Sequence, residues 1–230
     1  MSVGQSWKGP AMPLPRFDAV IFDLDGTLLA TEQMTIETGE AALSRMGRQV
    51  PPGLLESLVG FDEPTSRGIL RRHLGDDFDF AHLDRMWAEA LIERRDRDGI
   101  PLRPQVEPML RALREASIPF AIATSSTRDQ AREKLAAAGL TDSFTIVVTR
   151  SDVPSPKPAP DVYLLAAERL GLAPDRCLAF EDSDVGAIAA RAAGMTVVQV
   201  PDMVPLSGEH ADYLAPDLIA GARGIGLLAA

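Results

Sequence analysis

Apolar residues along this chain follow two rhythms, and the change between them divides it. Residues 19–22, Ala-Val-Ile-Phe, form an unbroken apolar run that stops at Asp23. A short run closed by a turn is the pattern of a parallel strand buried on both faces. From about residue 31 to 98 almost nothing reads as a strand. Leu83, Met86, Trp87, Ala90 and Leu91 fall at steps of three, four, seven and eight, one face of an amphipathic helix. Ile69, Leu70, His73 and Leu74 repeat that spacing on a shorter helix, and Pro51, Pro52, Gly53, Gly60 and Gly75 break the stretch into pieces. The pattern predicts a small helical bundle.

Beyond Pro104 the chain alternates. Residues 118–123 are apolar, 128–138 helical with Gly139 as a stop, and 144–148 apolar; 161–170 are helical, 178–180 apolar, 185–193 helical with Gly194 as a stop, and 197–200 apolar. Helices closed by glycine between apolar runs predict βα units and a parallel sheet. The run at 19–22 must join that sheet, since alone it has no partner. The expected organisation is a flexible tail at 1–16, an α/β core from 17–29 and 103–230, and an inserted helical cap at 30–102. A bundle inserted there is expected to lie over the carboxyl edge of the sheet as a lid. The apolar stretch at 212–230 is expected to close the sheet or cover one face.

Charge and composition narrow the partners. The 230 residues carry 33 acidic and 23 basic side chains, a net charge of -10, which repels nucleic acid and anionic membrane surfaces. No run approaches the roughly 18 apolar residues of a membrane span. Cys177 is the only cysteine, so no intrachain disulfide or cysteine cluster for zinc is available, and its apolar surroundings mark it for packing. The first sixteen residues hold Lys8, Arg16 and three prolines without the apolar centre of a signal peptide. The cytoplasm is the expected location.

Four segments each end an apolar run with groups suited to phosphate or metal. Asp23 and Asp25 stand two apart with Gly26 turning the chain, and carboxylates so close repel unless a cation or a shared proton intervenes. The spacing does not fit a calcium loop. Thr124, Ser125 and Ser126 follow the second run, where hydroxyls and free amides bind phosphate oxygens well; Ser126 with Asp129 also fits a capping box. Lys157 stands in a loop stiffened by Pro154, Pro156, Pro158 and Pro160. Glu181 and Asp182 end a later strand, a position that also suits helix capping. Together these groups bring four negative charges and one positive, so a dianionic phosphate would not bind unaided. Magnesium, a hard cation held by carboxylates, substrate oxygens and water, resolves the conflict and leaves Asp23 free to act as a nucleophile.

In wording and order these segments resemble the haloacid dehalogenase-like superfamily. The branch is that of phosphatases with a helical cap, close to the beta-phosphoglucomutase and phosphoglycolate phosphatase group. The likeness covers roughly residues 17 to 203 and rests on Phe22-Asp23-Leu24-Asp25-Gly26-Thr27-Leu28, Thr124 to Ser126, Lys157-Pro158-Ala159-Pro160-Asp161, and Glu181-Asp182-Ser183 with Gly186, Ala193 and Gly194. It implies a Rossmann-like parallel sheet core with an inserted α-helical cap. It also implies Asp23 as nucleophile, Asp25 as general acid and base, and Thr124, Ser125 and Lys157 as phosphate ligands. Magnesium would be held by Asp23, the carbonyl of Asp25 and Asp182, with Glu181 as a direct or outer ligand. Specificity is expected from Thr31, Thr35, Glu63 and Arg67 of the cap, with Ser126 and Arg128.

Departures from the family pattern separate its activities. Dehalogenases lack the second aspartate, which this chain keeps as Asp25. Thr35 stands where the mutases carry a histidine, and Gly60-Phe61-Asp62-Glu63 is acidic where they place an arginine for a second phosphate. Arg67, Arg71 and Arg72 on the next helix are the candidate substitutes. The favoured expectation is a magnesium-dependent phosphatase, monomeric or weakly self-associating, that hydrolyses a small phosphomonoester. The alternatives are a hexose phosphate mutase of the beta-phosphoglucomutase type and a catalytically silent sugar-phosphate-binding protein, against which the retained Asp25 speaks.

Overall fold

Six short strands form one parallel sheet: β1 (Ala19–Phe22), β2 (Phe120–Thr124), β3 (Val147–Thr149), β4 (Cys177–Glu181), β5 (Thr196–Gln199) and β6 (Tyr213–Leu214), in the order β3-β2-β1-β4-β5-β6. The structure, a computed structural model, describes residues 17–59, 63–203 and 206–229. The expected tail at 1–16 and the Gly60-Phe61-Asp62 turn therefore lie outside the described residues. All the strand pairs of the sheet are parallel, with Phe22 opposite both Ile122 and Phe180. The central β1 is wholly buried, as a strand covered on both faces must be.

Residues of β1, β2 and β4 alternate between two apolar layers. On one side Ile21, Ala121, Ala123 and Ala179 meet helices α6 (Asp161–Leu170) and α7 (Asp184–Ala192) through small residues, among them Ala166, Ala187 and Ala190. On the other side Phe22 stacks on Phe180 with ring centroids 5.5 Å apart. Helix α8 (Leu218–Gly224) comes so close to this layer that a methyl on Gly221 would lie 2.7 Å from Val198 and 2.9 Å from Phe180. The stretch after 212 thus does both things expected of it, since β6 extends the sheet beside β5 and α8 covers a face. Helix α4 (Val106–Glu115) buries Val106, Met109, Leu110 and Leu113, and α5 (Arg128–Ala137) follows β2.

Two boundaries differ from the sequence reading. The run at 144–148 becomes a strand only from Val147, because Phe144 packs edge-on against Phe120 and Phe22 in the core. Helix α5 is capped by Thr127, whose hydroxyl and the Gln130 side chain satisfy each other's backbone amides, and not by Ser126 with Asp129. Ser126 is engaged elsewhere, as shown below.

The chain divides into two compact units, one of them Thr31–Ile100 and the other holding the sheet. The first is helical: α1 (Thr31–Arg45), α2 (Glu63–Leu74) and α3 (Phe80–Asp98) enclose Ile36, Leu43, Leu55, Leu70, Leu74, Phe80 and Leu83. Gly39 of α1 lets the Trp87 ring of α3 come so close that a Cβ there would sit 2.4 Å from it. The indole Nε1 donates to the Thr35 carbonyl at 2.9 Å. In the sheet unit, the outgoing and returning connections pair with each other. Ala30 N donates to Pro101 O and Arg103 N to Leu28 O, both at 2.9 Å, so both links leave close to the turn that carries Asp25. No helix among the described residues is long and apolar enough to cross a membrane.

Candidate active site

The chain reverses direction across the sheet at β1, which has β2 on one side and β4 on the other. In open α/β sheets a crevice forms outside the strand ends at such a point. Register brings the chemistry there: Asp23 follows Phe22, Thr124 ends β2, and Glu181 ends β4. The backbone of Asp23 is pinned by a bond from its amide to Phe180 O at 3.0 Å.

Lys157 reaches this edge from the proline-rich loop before α6. Its ammonium lies 2.6 Å from Asp23 Oδ1 and 2.6 Å from Glu181 Oε1, with the three side chains at most 9 % exposed. The same ammonium lies 4.9 Å from the centroid of the Tyr163 ring. Tyr163 is fully buried and its hydroxyl donates to Glu181 Oε1 at 2.5 Å, while Ser183 Oγ donates to Oε2 at 3.1 Å. Glu181 is therefore an anchor for the lysine as much as an acid. It lies against α7 because Gly186 has no side chain; a Cβ there would meet the carboxylate at 1.9 to 2.1 Å. Ser183, whose hydroxyl accepts from Gly186 N, caps that helix, and neither Glu181 nor Asp182 does so.

Burial pushes the Asp23 carboxyl from 3.8 up to about 7, with Glu181 and Asp25 adding to the rise and Lys157 opposing it. Burial alone would lower Lys157, yet Asp23 and Glu181 outweigh it and hold the ammonium above its ordinary value. Tyr163 is raised by burial and by the adjacent Glu181 charge, so it stays a donor. Cys177 is pushed up to about 11 by burial, consistent with a packing role.

Asp182 sits over the aspartate turn. A Cβ on Gly26, whose φ is +80°, would lie 2.0 Å from Asp182 Oδ2, so this glycine serves both the turn and the approach. Thr27 Oγ1 donates to Asp182 Oδ1 at 3.2 Å. One oxygen from each of Asp23, Glu181 and Asp182 falls within 4.8 Å of the others. Three hard oxygen donors suit a magnesium ion. Lys157, Tyr163 and Ser183 all donate to Glu181, and Lys157 also donates to Asp23.

Asp25 has partners that the sequence did not reveal. Lys134, from the later part of α5, lies 2.7 Å from both of its carboxylate oxygens, and Ser126 Oγ donates to Oδ2 at 2.9 Å. Among the described residues, Asp23 and Glu181 thus face the Lys157 ammonium and Asp25 faces that of Lys134, a second cation beyond the one read from the sequence. A lysine on a helix surface carries no sequence signal of this kind. Tyr163 offered a faint one, since a tyrosine on an apolar helix face needs a buried partner for its hydroxyl.

The other expected residues are distributed differently. Thr124 is buried and its Oγ1 accepts from Ser126 N at 3.0 Å, while Ser125 is exposed at the strand end. Arg128 pairs with Asp152 at 2.6 Å, fastening the start of α5. Thr31, Thr35, Glu63 and Arg67 belong to the helical unit. Thr35 Oγ1 donates to Thr31 O, and Arg67 is held by Glu63 at 2.8 Å and Asp84 at 3.0 Å while lying over the Phe80 ring.

A β1 turn with two aspartates, a buried lysine bridging to the end of β4, and a following acidic residue define a hydrolase of one family. The description of haloacid dehalogenase-like hydrolases matches residues 17–194, and the chain belongs to that family. It is 36% identical over 188 residues to the fructose-1-phosphate phosphatase YqaB of Escherichia coli (strain K12), covering 80% of this chain and 97% of that protein. Hexitol phosphatase A of the same organism is 34% identical over 191 residues, covering 80% and 83%. A solved structure of a haloacid dehalogenase-like hydrolase from Deinococcus radiodurans R1, with bound phosphate and sodium, is 30% identical with a TM-score of 0.68, covering 93% of this chain and 90% of that one.

Proposed function

We propose that this chain is a magnesium-dependent phosphatase that hydrolyses a small phosphomonoester, a sugar phosphate or related metabolite, through an aspartyl-phosphate. The observation that carries the reading is the buried Lys157 ammonium held 2.6 Å from both Asp23 and Glu181, next to Asp182. An acid cluster serving only stability gains little from burying so many charges. One that must bring a carboxylate against a phosphate dianion needs this balance. The two Escherichia coli relatives are a fructose-1-phosphate phosphatase and a hexitol phosphatase, and the Deinococcus radiodurans hydrolase holds phosphate, which supports the substrate class.

In this reading Asp23 attacks phosphorus in line, the ester bond breaks, and Asp25 gives a proton to the departing oxygen. Asp25 then takes a proton from water as the water oxygen attacks phosphorus, the bond from phosphorus to the Asp23 oxygen breaks, and phosphate leaves with the Asp23 carboxylate restored. Lys157 and the Thr124–Ser125 turn hold the transferring phosphoryl group, and positioned charge supplies most of the rate. Asp23, Asp182 and the Asp25 carbonyl would hold magnesium, with Glu181 behind them; the ion would offset the negative charge shared by the phosphoryl group and the carboxylates. The helical unit Thr31–Ile100 is assigned the choice among substrates. Arg67, being engaged by Glu63 and Asp84, lends no support to a second phosphate site, so hydrolysis is favoured over a mutase.

Steady-state turnover of p-nitrophenyl phosphate with magnesium tests the assignment. Asp23→Asn is expected to keep its fold by circular dichroism and lose at least about 1000-fold in kcat, as expected for a nucleophile. Retained turnover in that variant would remove Asp23 from the mechanism.

A further inference from the structure

The ammonium of Lys134 has three N–H donors, and each finds an acceptor: Asp25 Oδ1 at 2.7 Å, Asp25 Oδ2 at 2.7 Å and Ser126 Oγ at 2.9 Å. It has none left over for a phosphate oxygen. Ser126 in turn spends its single hydroxyl proton on Asp25 Oδ2 at 2.9 Å. The two carboxylate oxygens are thereby made unequal. Oδ2 accepts from both Ser126 and Lys134, whereas Oδ1 accepts from Lys134 alone among the described residues.

The frame behind this clamp is fixed at several points. Ser126 N is tied to Thr124 Oγ1, and helix α5 starts on the reciprocal Thr127–Gln130 cap. Its first residue, Arg128, is fastened to Asp152. The Lys134 and Asp25 side chains are 27% and 32% exposed. A partly exposed pair of this kind contributes little to stability, so its orienting effect is the larger consequence.

We propose that Lys134, with Ser126, is a positioning residue that sets the rotamer of Asp25 and turns Oδ1 toward the leaving-group oxygen. This rests on the reading of Asp25 as the acid and base. The proton passes from Asp25 to the departing oxygen as the oxygen–phosphorus bond breaks, and Lys134 neither gives nor takes it. Its contribution is geometric, since a donor misplaced by an ångström loses most of its effect.

The test exploits leaving groups of nearly equal size. Phenyl phosphate needs its oxygen protonated on departure, whereas p-nitrophenyl phosphate releases a stable anion. The value of kcat/KM reports the steps up to that departure. For Lys134→Met, kcat/KM with phenyl phosphate is expected to fall roughly 10–100-fold, part of the typical contribution of general acid catalysis. With p-nitrophenyl phosphate it is expected to stay within about 3-fold on the same reasoning. Lys134→Arg, which can still donate to both oxygens, is expected to restore most of the loss. Ser126→Ala, which keeps the lysine, is expected to show a smaller loss with the same dependence on leaving group. Asp25→Asn sets the full size of that dependence. If Asp25→Asn discriminates between the two substrates while Lys134→Met and Ser126→Ala lower both equally or neither, the positioning role is overturned. Turnover by Asp23→Asn would instead overturn the underlying phosphatase reading, so the two failures are distinguishable.

Discussion

Gly186→Ala sets two physical effects of opposite sign against each other. Gly186 lies inside α7 with helical backbone, where replacing glycine by alanine ordinarily stabilises by about 0.4–1 kcal/mol through the unfolded chain. Here the new methyl would stand 1.9 Å from Glu181 Oε1, 2.0 Å from Cδ and 2.1 Å from Oε2. The carboxylate must withdraw by about 1 Å to reach tolerable contact. Its bonds to Lys157 and Tyr163, now 2.6 and 2.5 Å, then pass beyond hydrogen-bonding range. Each bond to a charged group contributes about 1.5–3 kcal/mol, so the loss exceeds the helix gain and leaves about 3 kcal/mol of destabilisation. For a chain of this size that is about 10 °C in Tm. Gly68→Ala in α2, where a Cβ meets nothing within 4 Å, is the matched control and is expected to raise stability slightly. Scanning calorimetry of both variants, with turnover of p-nitrophenyl phosphate, decides the matter. A Gly186→Ala protein that melts at or above the parent temperature with unchanged kcat would refute the argument that Glu181 must lie on this helix to hold Lys157.

Removing the cation itself, Lys157→Met, leaves two buried carboxylates facing each other and is expected to cost about 3–5 kcal/mol in urea unfolding along with at least 100-fold in kcat; a fully stable variant would contradict it. Tyr163→Phe removes one donor from Glu181 without changing volume and is expected to cost about 1–3 kcal/mol, read from the urea midpoint; no shift in that midpoint would show that the phenol hydroxyl is dispensable. Asp23 titrates near 7 in the folded chain and at 3.8 when unfolded, so its proton favours the fold fully below pH 3.8 and that support disappears as pH rises through about 7. A raise of that size corresponds to about 4 kcal/mol. The metal-free protein should therefore lose stability from pH 5 to pH 8 on this group's account. Because magnesium competes with that proton, the rise in Tm on adding it should be larger at pH 8 than at pH 5. Equal rises at both values would argue against Asp23 as a ligand.

How much could be read from residues alone follows from what each one must satisfy. β1, β2, β4 and β5 were legible because a strand buried on both faces is apolar at nearly every position, and helices α5 and α7 were legible because Gly139 and Gly194 stop them. The three-residue β3 was blurred, since Phe144 supplies an apolar side chain to the core from outside the strand. Asp23, Thr124 and Glu181 could be placed at one edge because each stands where an apolar run ends. Lys157 stood out through its rigid frame. Lys134 could not be seen in the same way: its ammonium meets Asp25 only in the folded chain, a contact spanning 109 positions that local spacing does not encode. Ser126 looked like a helix cap because its residue type suits that role, and only the fold shows that Thr127 takes it. The dependence of Glu181 on Gly186 was hidden for a similar reason, since a glycine within a helix carries no mark of what lies against it.

The most direct measurement of the central claim is the mass of Asp25→Asn after brief mixing with p-nitrophenyl phosphate and magnesium and an acid quench. That variant should still transfer the phosphoryl group, because the leaving group needs no proton, yet lack the base that activates water. The account requires one added phosphoryl group, mapped to the peptide carrying Asp23. An unmodified protein that has released a stoichiometric burst of p-nitrophenol, or a phosphoryl group mapped to any other residue, would contradict it.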